Sequence, residues 1–363
     1  MVFSARAVIV QPLLMSAPLD LTRAPAHDPL EIYRFRDGLY AVDLIAAAIT
    51  EFDLFTKLAA KPSDLATVCR DFGTHRRPTD VMLTLFVANG FLALKDGVYS
   101  VTPLGQEHLV STSPTFLGPY YASLKDRPVV KDFVVILRTD KPANWGSYKD
   151  EKPWSEAMLT DAFATSFTAA MDSRGFTLGP AMAKASPVGA RTRLLDIAGG
   201  SGIYACALVA NHPRLSATVF ERAPVDGITR KMIAKRGFQD RVDVTAGDMF
   251  KDPLPSGYDV HLFSNVLHDW DTDKVRFLLA ASAKALPKGG LLIVHDAHLN
   301  DDKTGPGPVA AYSALLMSVT EGRCYGTGEM RALLTEAGFG DIRHQDTACD
   351  RSIVTAVKMT DGR

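Results

Sequence analysis

The sequence is poor in cysteine, lacks any long apolar run and carries no excess of charge of either sign. Four of its 363 residues are cysteine: Cys69, Cys206, Cys324 and Cys349. No two of them form a Cys-x-x-Cys pair, which excludes a disulfide framework and a thiolate zinc site, and a reducing, cytoplasmic setting is expected. No apolar stretch approaches the roughly 20 residues of a membrane span, so no membrane partner is expected. Lys plus Arg number 40 against 41 Asp plus Glu, a formal net charge of -1. Without a cationic field the chain has no general attraction for nucleic acid, and none is expected as a partner. Internal repeats and low-complexity tracts are also missing. What is present is the 47% hydrophobic and 22% charged balance of a globular protein, long enough for two to three domains.

Residues 1–30 are expected to form a disordered or extended arm. Ala7 to Met15 follows Arg6 in the manner of a secretory leader, but Gln11 and Pro12 break the run and Pro18, Pro25 and Pro29 follow it. Residues 31–112 read as three helices and a hairpin. YAVDLIAAAITEFDLFTKLA has helical spacing, SDLATVCRDF starts at a Ser63 cap and TDVMLTLFVANGFL at a Thr79 cap; FLALKDG and VYSVTPLG then turn at Asp96-Gly97. That order is a winged helix. Its third helix bears no Arg or Lys, although Arg76 and Arg77 precede it, so packing or dimerisation is the expected use rather than DNA reading. Residues 113–190 read as a helical linker, in which Tyr120, Tyr121, Phe167 and Met171 are candidate walls of a substrate pocket or plain core. Residues 191–363 alternate strands (RLLDIAG, ATVFE, VDVTAGD, YDVHLFSN, GGLLIVHDA, DIRHQDT, RSIVTAV) with helices. The alternation predicts an α/β domain with a doubly wound, Rossmann-like sheet.

Three strand ends in that domain carry ligand-type residues. LLDIAGGSGIY puts Asp196 at the end of a buried strand, with Gly199, Gly200 and Gly202 in the turn before a helix, where backbone can approach a ligand. The spacing is not that of the dinucleotide loop, which argues against a nicotinamide dehydrogenase. Glu221 ends the second strand, where ribose hydroxyls are commonly held by a carboxylate. AGDMF then offers Gly247 and Asp248, an acceptor for an amino group, with Met249 and Phe250 to pack on a ring.

Together with NVLHDW, GGLLIV and a final EAGF, these segments resemble the S-adenosylmethionine-dependent O-methyltransferases of the caffeic-acid, plant small-molecule type and their bacterial relatives. The resemblance runs from about Leu39 onward. It implies a class I methyltransferase sheet, a mostly helical winged-helix dimerisation domain, a homodimer, S-adenosylmethionine as co-substrate without a metal, and a small-molecule acceptor. It also implies that His268 is the general base, that Asp296 fills the position of an orienting glutamate, and that Ser264 lies with the cofactor group. Two departures alter the acceptor side. Cys324 stands where relatives have a second glutamate, with Tyr325 at their arginine, and Ser264-Asn265 replaces a basic residue before the HDW turn. Asn265 and Cys324 are therefore candidate pocket residues.

The residues leave the methylated atom open. A hydroxyl must lose its proton, which a neutral imidazole with a reference pKa near 6.5 can accept. A thiol or thioether needs little or no base, and carbon in a 2-oxo acid is a further alternative. His268, Asp269, His295 and His298 also allow a metal-assisted variant without any close ligand motif. A winged-helix regulator that senses S-adenosylmethionine is the non-catalytic alternative.

Overall fold

The computed structural model describes residues 20–142 and 157–360. The N-terminal module comprises α1 (Leu30–Asp37), α2 (Ala41–Thr50), α3 (Leu54–Ala60), β1 (Ser63–Asp64), α4 (Leu65–Phe72), α5 (Arg76–Ala88), β2 (Leu92–Lys95) and β3 (Val98–Val101). The first expected helix is split in two, because Asp53 turns left-handed at φ +49° and redirects the chain. Two expected caps also move. Asp64, not Ser63, caps α4: its carboxylate accepts the Thr67 N–H at 2.7 Å, while Ser63 pairs with Tyr99 in the small sheet. An ionised acceptor suits the positive end of a helix better than a hydroxyl does. Helix α5 starts at Arg76, since Pro78 is tolerated in a first turn, and Thr79 lies inside it with its hydroxyl donating to Thr74 at 2.7 Å. The hairpin turns at Asp96 and Gly97, both at positive φ, the geometry of a tight two-residue turn.

Helices α6 (Pro103–His108), α7 (Gly118–Ala122), α8 (Pro128–Thr139) and α9 (Asp161–Ala185) lead into the second domain. There the chain runs β4 (Arg193–Ile197), α10 (Ile203–Asn211), β5 (Ser216–Glu221), α11 (Val225–Lys235), β6 (Val242–Ala246) and β7 (Val260–Ser264). It continues with α12 (Thr272–Ala285), β8 (Leu291–Asp296), α13 (Gly307–Val319), α14 (Thr327–Glu336), β9 (Phe339–Asp346) and β10 (Ser352–Lys358). All seven expected strands form one sheet in the order β6-β5-β4-β7-β8-β10-β9. Strand β10 runs antiparallel to both its neighbours, and the other pairs are parallel. The strand order reverses beside β4, so the carboxyl ends of β4, β5 and β7 open on the crevice where doubly wound sheets bind ligands.

The two domains are joined by shared core. Helix α13 belongs to the second domain in chain order, yet it packs on α5 and α2. Val309, Ala310 and Met317 complete a core with Leu44, Phe55, Phe86 and Phe133. Arg77 adds a polar tie: its Nε pairs with Asp140 at 2.7 Å and its Nη1 donates to the carbonyls of Thr320 and Gly322. Of the expected arm, residues 1–19 lie outside the described residues. Residues 20–29 are irregular but anchored, with Leu21 buried against α9 and α10 and its carbonyl accepting from Asn211 at 3.1 Å. All four cysteines are free thiols. Among the described residues no helix is long and apolar enough to cross a membrane.

Candidate active site

After β4 the chain makes three left-handed residues, Ala198, Gly200 and Gly202, within five positions. A side chain at Gly199 would stand 2.4 Å from Asp196 Oδ2, so the loop is folded directly over that carboxylate. Asp196 is fully buried and, among the described residues, no donor reaches either oxygen in good hydrogen-bond geometry. Burial first, and then the charge of Glu221, push its pKa up to about 7. A dehydrated carboxylate without donors is a costly group that a cationic or N–H ligand relieves. Glu221, at the end of β5, accepts the Gly200 N–H at 3.0 Å and the Arg222 N–H at 2.8 Å, and burial raises its pKa. After β6, Gly247 lies so close to Phe220 that a Cβ would meet the ring at 2.2 Å.

Asp248 accepts the Phe250 N–H at 3.0 Å and pairs with Lys251 at 3.2 Å. Partial burial works to raise its pKa, but those partners outweigh it and hold it low. Phe250 meets Trp270 edge to face, with ring centres 4.7 Å apart, and Met249 packs beside it. The crevice thus presents three carboxylates, turned-in backbone and an apolar ledge. Such acceptors beside an apolar ledge are complementary to the ammonium, ribose hydroxyls and adenine of S-adenosylmethionine.

His268 lies in the short 3-10 turn Leu267–Asp269 that follows β7, 3% exposed. Its Nδ1 is in a short hydrogen bond with Asp296 at the end of β8, and its Nε2 lies 3.5 Å from Asp269. Burial opposes ionisation of Asp296, but His268 overrides it and holds the carboxyl at about 2. An ionised Asp296 can only accept, so Nδ1 donates and the neutral ring keeps its lone pair on Nε2. For His268 itself, burial works to lower the pKa, and the charges of Asp296 and Asp269 outweigh it and raise it above the ordinary value. Asp269 is pushed up to about 6 by burial. A side chain at Gly322 would stand 2.1 Å from the His268 carbonyl, so the strand of chain after α13 is pressed against the turn and fixes it.

Several expected site residues lie elsewhere. Tyr120 is 77% exposed on α7, and Tyr121 packs on the N-terminal core. Phe167 stacks on Phe163 with Val225 and Ile228, beside α11 rather than beside His268; Met171 is half-buried one turn further along α9. Ser264 shares a 2.8 Å hydrogen bond with His295 Nδ1, which commits its hydroxyl to the sheet. Cys324 is fully buried with its N–H donating to Ser313, and burial first and then the charge of Asp296 raise its thiol pKa far above the usual range, so this residue does lie near the His268–Asp296 pair. Asn265, at φ +54°, donates to Tyr204 at 3.2 Å. Among the described residues no three His, Cys, Asp or Glu side chains are gathered as metal ligands. His295 and His298 are instead bonded to Ser264 and Ser352, and burial holds them at about 3 and 4.

Three residues around the His268 and His295 rings were not expected: Tyr312, Arg174 and Tyr204. The Tyr312 ring stands perpendicular to the imidazole at 5.7 Å, and its hydroxyl accepts from Arg174 Nη1 at 3.2 Å. Tyr204 meets His295 at 5.4 Å. A signal for Arg174 was available, because Phe167, Met171 and Arg174 follow the i, i+4, i+7 spacing of one helix face.

A family model described as O-methyltransferase domain matches residues 137–340. The 3-hydroxy-5-methyl-1-naphthoate 3-O-methyltransferase of Streptomyces sahachiroi is 32% identical over 308 residues, 84% of this chain and 88% of that protein. The tetracenomycin polyketide synthesis 8-O-methyl transferase TcmO of Streptomyces glaucescens is 30% identical over 329 residues, covering 87% and 92% of the two chains. Among solved structures, an O-methyltransferase family 2 protein from Planctomyces limnophilus in complex with apigenin gives a TM-score of 0.85 at 32% identity. That match covers 94% of this chain and 99% of the other.

Proposed function

The chain belongs to the O-methyltransferase family, and from that premise we propose that His268 is the general base for methylation of a hydroxyl on an aromatic acceptor. The enzyme is an S-adenosylmethionine-dependent O-methyltransferase of small molecules. The sulfur and carbon acceptors left open by the sequence are set aside, since both curated relatives above are O-methyltransferases. Naphthoate and apigenin, the molecules in two of the names above, are hydroxylated aromatics, and the acceptor class is assigned on that basis.

The observation that carries the base assignment is the buried Asp296–His268 pair, in which an ionised Asp296 puts the ring proton on Nδ1 and leaves the lone pair to Nε2. Asp296 fixes the tautomer and is a positioning residue. Nε2 takes the hydroxyl proton while the oxygen lone pair forms the new bond to carbon. The imidazolium so formed is held between Asp296 and Asp269, both within its reach. When bound, S-adenosylmethionine would supply an electrophilic methyl group on a sulfonium, the carbon–sulfur bond pair staying on sulfur so that S-adenosylhomocysteine leaves. In this reading Asp196 holds its ammonium, Glu221 its ribose hydroxyls, and Met249 and Phe250 its adenine, with Asp248 accepting from the amino group. The Gly199 to Gly202 turn and Gly247 bring backbone close to it. The test is product analysis with isotopically labelled S-adenosylmethionine and 2-naphthol or a hydroxynaphthoate: a methyl ether supports the reading, and transfer to ring carbon overturns it.

We also infer a homodimer built on the N-terminal module. Ile32 and Phe35 on α1 are 73% and 84% exposed, Leu39 and Val42 lie open nearby in the chain, and Tyr120 is exposed on α7, which packs on α2. Exposed apolar residues in such number favour burial by a second copy, and an obligate interface of this kind buries more than about 2,000 Å². Nucleic acid is a poor partner, because Pro78 to Phe86 of α5, the helix that would enter a groove, are buried. A reducing cytoplasm suits the four free thiols. Analytical ultracentrifugation at micromolar concentration should give a dimer; a monomer overturns the assembly.

A further inference from the structure

Arg174 lies on α9, part-buried beside Tyr312 of α13. Its Nη1 donates to the Tyr312 hydroxyl at 3.2 Å, and among the described residues its buried Nε has no acceptor. Among the described residues no carboxylate lies within ion-pair distance of it. The neighbouring buried arginine is different: Arg351 pairs with Asp37 at 2.8 Å and lies 4.4 Å from the face of Tyr312. A guanidinium in the interior with one neutral hydroxyl as partner is a costly arrangement, because desolvation is not offset by a counter-ion. The planar fork of donors also matches a carboxylate better than any other common organic group.

We propose that Arg174 anchors a carboxylate of the methyl acceptor, so that the substrate is an aromatic acid carrying the reactive hydroxyl on its ring. The proposal rests on the reading of His268 as the base facing the acceptor. Tyr312 connects the two groups: its hydroxyl takes Arg174 and its ring edge or face meets the imidazole of His268. A carboxylate held by Arg174 would therefore fix the ring beside Nε2 of His268, and the position of the hydroxyl relative to the acid would select the acceptor. The same chemistry has a second source, the amino-acid carboxylate of S-adenosylmethionine. The acceptor is the better fit, because Tyr312 sets Arg174 beside the ring of His268, whose imidazole feels the charge of Arg174.

The experiment uses the full-length protein saturated with S-adenosylhomocysteine and two matched pairs of probes: 3-hydroxy-1-naphthoate against 2-naphthol, and 3-hydroxybenzoate against phenol. Calorimetry should show the acid of at least one pair binding about 10- to 100-fold more tightly than its neutral partner, the span of a charged hydrogen-bonded contact. Arg174→Gln should erase that preference, and Arg174→Lys should restore part of it. The affinity for S-adenosylhomocysteine should stay unchanged in both variants. Thermal melting keeps the result interpretable: removing an uncompensated interior charge should leave Tm unchanged or raised. No preference for the acid in either pair overturns the proposal, as does a preference that survives Arg174→Gln. Weakened binding of S-adenosylhomocysteine in Arg174→Gln also overturns it, by assigning the cation to the co-substrate. Failure of the base reading looks different, since methyl transfer would then survive loss of His268 while the acid preference persisted.

Discussion

Replacing Asp296 by Asn changes the charge behind His268 while keeping the shape, and two consequences of different size follow. With the Asp296 charge gone, burial works against Asp269 alone, so the pKa of His268, now above its ordinary value, should fall. The acidic limb of the kcat/KM profile should therefore move to lower pH. A one-unit loss of basicity changes the rate by at most about tenfold, since one pKa unit is 1.36 kcal/mol. The larger effect concerns the proton on the ring. Aspartate, held ionised, only accepts from Nδ1, whereas an asparagine amide can equally donate to Nδ1 and leave the ring proton on Nε2, where it blocks the base. A fall in kcat of about 100- to 10,000-fold is expected at the optimum, the span associated with loss of general base catalysis. The assay is release of S-adenosylhomocysteine with a hydroxyl acceptor from pH 5.5 to 9, run beside the wild type. Thermal melting checks that the variant remains folded. An unmoved limb together with kcat within about threefold of wild type would refute the reasoning, because neither the charge nor the tautomer would then matter.

The co-substrate crevice gives two further tests. Asp196 has its folded pKa raised from 3.8 to about 7, so the stability of its protonated form is fully present below pH 4 and is lost as pH rises through 7. Asp196→Asn should therefore stabilise the ligand-free protein at pH 8, by up to something on the order of 4 kcal/mol, while weakening S-adenosylhomocysteine; lower Tm at pH 8 would count against the orphaned carboxylate. Glu221→Ala leaves the Gly200 N–H without its acceptor and should weaken S-adenosylhomocysteine by about 1–3 kcal/mol. Calorimetry with unchanged affinity would remove Glu221 from the ribose.

The sheet was legible in the sequence because most of its strands are short, largely apolar runs set between helical stretches, and strand ends are where such sheets place ligands. Asp196, Glu221 and His268 lie at such ends. The helical half was read less well, for reasons that involve distant parts of the chain. Tyr120 is turned away from the site, facing outward from α7, while Cys324 lies within the influence of Asp296 but is sealed beneath α13, which crosses from one domain to close the core of the other. Caps at Ser63 and Thr79 were plausible locally, but a neighbouring carboxylate and a proline tolerated in a first turn decided where the helices begin. Arg174 escaped notice because a lone arginine on a helix is ordinary until burial without a counter-ion is seen.

The base assignment is tested most directly by His268→Ala, with turnover of a hydroxyl acceptor and affinity for S-adenosylhomocysteine measured on the same preparation. The imidazole touches no group assigned to the co-substrate, so affinity should remain nearly constant while kcat falls by about 100- to 10,000-fold. The residual activity should also recover as pH rises and the acceptor ionises in solution. Near-normal turnover at pH 7 by the variant would contradict the account.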